Sequence, residues 1–242
     1  MTYSITARCP HTGQYGVGVA TYSPVVGSNV PLVVAGHGAV AHQCVASPVF
    51  RAMAGRLLAA GCSAEGVLAE LAAKDPHWGS RQVGVVDLYG QAAAYTTPTA
   101  PAHAGHLLGP GFVVAGNVLT ATCLEDSFAA FSATQGGPLP LAERLMQALE
   151  AGARSGGQAE GLTSAALLVA GHDPFPLVDL RVDVHATPVK ELRRCWDFMA
   201  PLQAYYVQRK TNPAGLKRWW QQRMDEVPGW QAQHLVQVVP QQ

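Results

Sequence analysis

Charge is what this chain has least of. Among its 242 residues, 16 are Lys or Arg and 16 are Asp or Glu, so 13% are charged and the formal net charge is zero; soluble domains average about a quarter charged. So balanced a chain exerts no overall pull on nucleic acid or anionic lipid, which excludes both as expected partners and leaves any charged ligand to local groups. Long apolar runs are also missing. No stretch is suited to crossing a bilayer, and the start lacks the basic, apolar, small-residue order of a secretory signal, so a cytoplasmic protein is expected. Five cysteines (Cys9, Cys44, Cys62, Cys123 and Cys195) without CxxC spacing read as reduced thiols, neither a disulfide frame nor a zinc site. The glycines at 16 and 18 lie inside an apolar run that opens no helix. Those at 109 and 111 lack the third glycine and the downstream acid of a dinucleotide site. Neither cofactor nor metal is expected.

What is present is a well-punctuated apolar chain, 48% hydrophobic with 25 glycines. Runs over 3–9 and 15–22, joined by Pro10-His11-Thr12-Gly13-Gln14, predict a β-hairpin. A strand over 38–44 leads to Ser47-Pro48, where Ser47 can cap a helix and Pro48 take its first position. Two helices follow, with stripes at Phe50, Met53, Leu57 and Leu58, then at Val67, Leu68 and Leu71. A hairpin over 81–97 turning at Leu88-Tyr89-Gly90 comes next, then a loop bearing Pro and His. Beyond it lie a strand over 112–117, helices over about 124–134 and 141–154, strands over 163–170 and 177–184, and a helix opened by Thr187-Pro188. Hairpins separated by helix pairs point to antiparallel sheets with helices packed outside them. From about residue 200 the composition shifts to aromatic and basic residues. The expected organisation is therefore one domain over 1–199 and a C-terminal extension over 200–242, packing on the domain or on a partner subunit. The low charge and the Trp219-Trp220 pair suggest a homo-oligomer.

The first strand carries the chemical interest. If Met1 is removed, Thr2 becomes the chain terminus and holds both a hydroxyl nucleophile and an α-amine, whose reference pKa of about 7.7–8.0 suits a general base near neutral pH. Ser4, two residues on, shares its face and is the fallback nucleophile. Asn117, after Gly116 at a strand end, can donate to an oxyanion. Ser164 is a candidate to face the nucleophile from a central strand. His42 and Gln43, between a strand and a helix, are candidates for substrate contact, with His106. The His103/His106 pair is a weak metal-ligand pattern, without a third His or an acid nearby in sequence. Asp179, Arg181 and Asp183 alternate on one strand face, as an ion-pair ladder would.

Several of these segments, in order, closely resemble the bacterial DUF1028 family, which is grouped with the N-terminal nucleophile (Ntn) hydrolases. They are Tyr3-Ser4-Ile5-Thr6-Ala7-Arg8, Gly38-Ala39-Val40-Ala41, Arg81 through Asp87, Ala104-Gly105-His106, Gly116-Asn117, Pro140 through Leu145, Ser164 through Val169, and Glu191-Leu192-Arg193-Arg194. The resemblance spans roughly residues 2–198. It implies an α+β fold, a four-layer αββα sandwich of two antiparallel sheets flanked by helices, and, through the wider superfamily, hydrolysis of an amide or cyclic amide (lactam or ureide type) in a small molecule, with Thr2 as nucleophile and no cofactor. This chain departs from the family pattern at His42, where a hydroxyl residue is usual, at Ala115, where Gln is usual, and over residues 157–164, which are more apolar. Those departures leave open a non-catalytic ligand-binding or assembly protein that keeps the fold and, third, a metal-dependent hydrolase using His103 and His106.

Overall fold

The computed structural model describes residues 2–100, 103–209 and 213–215. Residues 1–193 and 194–242 cluster as separate compact units. The first unit opens with β1 (Thr2–Arg8), β2 (Tyr15–Thr21), the short α1 (Val26–Asn29), β3 (Pro31–Val34) and β4 (Gly38–Cys44). Helices α2 (Pro48–Ala59) and α3 (Ala64–Lys74) precede β5 (Arg81–Val86), β6 (Ala92–Thr96), β7 (Gly105–Gly109) and β8 (Phe112–Asn117). Then come α4 (Cys123–Ala133), α5 (Leu141–Arg154), β9 (Ser164–Ala170), β10 (Pro176–Val182) and α6 (Pro188–Met199), which runs on into the second unit. That unit also contains α7 (Gln203–Gln208), where the Tyr205 and Tyr206 rings meet edge to face at 5.1 Å. Trp219 and Trp220 lie outside the described residues.

The strands form a six-stranded sheet in the order β10-β9-β2-β1-β8-β7 and a four-stranded sheet in the order β3-β4-β5-β6. Every pairing is antiparallel. Helices α4 and α5 cover the outer face of the larger sheet, α2 and α3 that of the smaller, and the inner faces pack on each other. This is the four-layer αββα sandwich. Strand alternation generates it. On β1, Tyr3 turns outward and its hydroxyl donates to Leu149 O of α5 at 2.8 Å. Thr2, Ser4 and Thr6 turn inward. On β4 and β5, Val40, Val83 and Val85 meet Leu58, Val67 and Leu71 of α2 and α3, while Ala39 and Ala41 face the valines of β2. Burying these apolar groups is worth roughly 25 cal/mol per Å².

The glycines at 16 and 18 admit a helix, not a ligand. A Cβ at Gly16 would lie 2.7 Å from Leu145 Cδ1, and one at Gly18 3.1 Å from Leu149, so their absence lets α5 lie down on β2. The helix starts follow the cap residues: the Ser47 hydroxyl accepts from Phe50 N with Pro48 next to it, and Ser63 accepts from Gly66 N. Arg193 ties the start of α6 to α5 through Glu143 at 2.7 Å and Glu150 at 2.9 Å.

Two strands go beyond the sequence reading. Both β3 and β7 are short edge strands, paired on one side only. The first begins with proline, which an edge strand tolerates, and the second is bounded by glycines and is largely half-buried. Neither pattern shows strict alternation of apolar and polar residues. On β10, Arg181 pairs with Asp179 at 2.8 Å, while Asp183 falls just past the strand end.

Candidate active site

Register decides what surrounds Thr2. On one side Thr2 is paired with Asn117 of β8. On the other, Tyr3 pairs with Ala20, which sets Thr2 opposite Thr21 of β2, and Thr21 in turn pairs with Ser164 of β9. Asn117, Thr2, Thr21 and Ser164 thus form one polar rung across four strands, pointing between the sheets. All four are buried, Thr2 at 5% exposure being the most open. Thr2 Oγ1 and Thr21 Oγ1 are 3.2 Å apart and share a hydrogen bond. Both line a cavity of about 340 Å³, whose other walls include Ser23, Asn29, Cys44 and Pro48 and which carries no Asp, Glu, Lys, Arg or His.

The chain belongs to the DUF1028 family. The family of unknown function of that name matches residues 2–192. A DUF1028-family protein of known crystal structure, from Silicibacter pomeroyi, is 30% identical over 82% of this chain and 88% of its own, with a TM-score of 0.74. Two Anbu (ancestral beta-subunit) structures are more distant. The one from Yersinia bercovieri has 10% identity over 85% of this chain and 97% of its own, with a TM-score of 0.40. The Gly-1 mutant from Hyphomicrobium sp. strain MC1 has the same identity and coverages, with a TM-score of 0.43. Among curated proteins there is no match.

Beside the rung, this DUF1028 chain holds a buried amide network. Asn117 Nδ2 donates to Gln82 Oε1 at 2.8 Å, and so does Gln43 Nε2 at 2.8 Å. Gln82 Nε2 lies 2.8–2.9 Å from Gly116 O, Gly105 O and Thr96 Oγ1, and Ser4 Oγ donates to Gln43 Oε1 at 2.8 Å. Ser4, the alternative nucleophile, is therefore committed to holding Gln43. Ser164 is committed as well: its hydroxyl donates to Ser23 O at 2.6 Å and accepts from Val26 N at 3.1 Å, fastening the turn that walls the cavity. Asn117 stays available in part. One amide hydrogen is used on Gln82, and its Oδ1 is buried without a partner. Such an orphan is costly unless something it meets in function satisfies it.

Backbone strain gathers around these residues. Val25, Cys44 and Val118 have φ of 56°, 70° and 55°; Cys44 directly follows Gln43, Val118 directly follows Asn117, and Val25 precedes the cavity residue Val26. Left-handed conformations cost a β-branched residue of order 1–2 kcal/mol and tend to collect at functional sites.

Alternation separates the pair at 42 and 43. Gln43 joins the inner network, while His42 points with Val40 to the helix side and lines no part of the Thr2 cavity. Its Nδ1 accepts from Ser47 N at 3.3 Å, so the proton sits on Nε2, which has no partner. Burial first, then the positive charge of Arg81, lowers its pKa to about 4; Asp75 opposes this and Arg51 adds to it. Unfolded His42 would take a proton near pH 6.5, whereas the folded form resists it until about pH 4, so stability is complete above pH 6.5 and drains away as pH falls toward 4. The expected loss is about 3 kcal/mol. Urea unfolding at pH 7 and pH 4.5 should show that loss in the natural chain and a clearly smaller one in His42→Gln.

His103 and His106 share a second cavity of about 530 Å³ with Thr96 and Thr97. Thr96 Oγ1 accepts from Gln82 Nε2 and shares a hydrogen bond with His106 Nδ1, each at 2.9 Å. Burial lowers the His106 pKa. Among the described residues no group of three His, Cys, Asp or Glu side chains could hold a metal ion.

Thr21, Gln82 and Gln158 were not singled out from the sequence. The register of the first hairpin gives Thr21 only once its turn is fixed at the four residues between Cys9 and Gln14, which pair with each other. Gln82 sits at an inward position of β5, followed only by apolar residues and glycine, a signal of a buried polar contact. Gln158 is 2% exposed. Its Oε1 accepts from Tyr22 N at 2.6 Å and its Nε2 reaches Asn117 O at 3.4 Å, bridging the ends of β2 and β8 beside the rung.

Proposed function

We propose that this chain is a hydrolase of the N-terminal nucleophile kind, cleaving an amide or cyclic amide (lactam or ureide type) in a small molecule. One observation supports the reading above others: the Thr2 hydroxyl lies buried on an inner sheet face, hydrogen-bonded to Thr21, in the wall of a cavity. With Met1 removed, the Thr2 oxygen attacks the carbonyl carbon and its proton passes to the chain's own α-amine. The free Asn117 amide hydrogen and nearby backbone N–H groups hold the oxyanion. The amine then protonates the departing nitrogen, and water cleaves the resulting ester to free the acid and Thr2. No cofactor takes part. A cavity of about 340 Å³ without an ionisable side chain other than Cys44 favours a small, uncharged group around the scissile bond, near the lower end of ligand-pocket sizes.

Intact mass and a substrate screen test this together. Purified protein should lack one methionine and hydrolyse at least one member of a panel of amides, lactams and ureides. An active preparation in which every chain keeps Met1 would defeat the terminal amine as base. A panel member that raises the melting temperature but is never turned over would favour a binding protein that retains the fold.

A further inference from the structure

A terminal threonine has a geometric difficulty in serving as its own base. Hydroxyl and amine sit on adjacent carbons, so a direct O–H···N contact closes a five-membered ring, with an angle at hydrogen below the roughly 120° under which hydrogen bonds weaken steeply. A second hydroxyl, able to accept one proton while donating another, removes the difficulty. Thr21 meets the requirements. It is 1% exposed, its Oγ1 is 3.2 Å from Thr2 Oγ1, and it stands directly across the ladder from Thr2. Opposed residues keep their Cβ atoms about 4.5–5.5 Å apart, which brings the Thr2 amine to the same rung. Ser23 N approaches Thr21 Oγ1 at 3.4 Å and can occupy one lone pair. As a β-branched residue Thr21 has few rotamers, so this arrangement is held stiffly.

We infer that Thr21 is a second catalytic residue, the proton carrier between the Thr2 hydroxyl and the Thr2 amine; this rests on the nucleophile reading above. As Thr2 Oγ1 bonds to the carbonyl carbon, its proton moves to Thr21 Oγ1 and the Thr21 hydroxyl proton moves to the amine. Thr21 ends neutral and the amine ends as ammonium, so charge and protons balance.

A β-lactone probe tests this without a known substrate. The ring of β-butyrolactone opens when a hydroxyl attacks, the acyl carbon joins that oxygen, and the expelled ring oxygen takes the proton back. Labelling of Thr2 is followed by intact mass and located by peptide mapping. Thr21→Val, which keeps the shape and loses the hydroxyl, should slow labelling about 100-fold, and Thr21→Ser should restore it to within about threefold. In H2O/D2O mixtures the natural chain should give a curved proton inventory, as two protons move together, and a purely structural residue would not produce that curvature. Labelling of Thr21→Val at the natural rate, or a linear inventory in the natural chain, overturns the carrier role while leaving Thr2 as nucleophile. Failure of the natural, Met1-free chain to label at Thr2 overturns the nucleophile reading, and the carrier with it. Should Thr21→Val not fold, as judged by circular dichroism, the inventory of the natural chain decides.

Discussion

Thr2→Ala is expected to remove turnover of any substrate found for this protein, by at least about 10⁴-fold, the scale on which hydrolases lose activity with their nucleophile. The substitution isolates the hydroxyl, because alanine at the same position keeps the α-amine and the strand. Structural damage should be slight. What disappears includes the methyl group and the 3.2 Å hydrogen bond to Thr21, worth about 1 kcal/mol, and the main-chain pairing with β2 and β8 is untouched. Thr2→Ser should keep measurable activity, since it restores an oxygen at the same carbon. Circular dichroism and melting temperature on the same samples separate the chemical loss from unfolding. A Thr2→Ala protein that turns substrate over at the natural rate would move the chemistry elsewhere in the molecule.

The largest stability effect is expected at Gln82. This side chain is fully buried and takes hydrogen bonds from Gln43 and Asn117 while reaching Thr96 and the carbonyls of Gly105 and Gly116. It fastens β5 of the small sheet to β7 and β8 of the large one, next to the rung that holds Thr2. Gln82→Met keeps length and apolar contact and removes every one of those bonds. Gln43 still has the Ala115 carbonyl at 3.2 Å, but Asn117 Nδ2 loses the acceptor that orients it. Leaving buried groups unpaired costs about 1–3 kcal/mol each, so a loss of roughly 3–5 kcal/mol is expected. Urea unfolding with an unchanged m-value would measure it. Because Asn117 is freed at the same time, activity should fall further than the folded fraction does. A Gln82→Met chain as stable as the natural one would mean the network contributes nothing net.

These two positions differ in how readable they were. Thr2 was visible because a hydroxyl at the head of an alternating strand is a local pattern, and the same alternation assigned Ser4 to its face. Gln82 was not, because its importance comes from five partners on four other strands, none within ten residues of it. Ser164 shows the converse: its place on a central strand was correctly read, but its hydroxyl is spent on the backbone of Ser23 and Val26, a long-range contact with no sequence signal. His42 and Gln43 look alike in sequence as adjacent polar residues. Only the packing of α2 and α3 on one side and the large sheet on the other settles that the histidine leaves the cavity and the glutamine joins the network.

By itself, the sequence determined the hairpins, the helix start at Ser47, the layering of helices outside antiparallel sheets, and the candidacy of Thr2. These follow from periodicity, capping and turn chemistry, which act over a few residues. Tertiary structure alone decided that Asn117, Thr2, Thr21 and Ser164 share a rung, that Gln82 joins the sheets, and that β3 and β7 complete their edges. The physical reason is register: which residue stands opposite which is set by the summed packing of distant strands, and one step of slippage would turn the entire rung from the inner face to the outer.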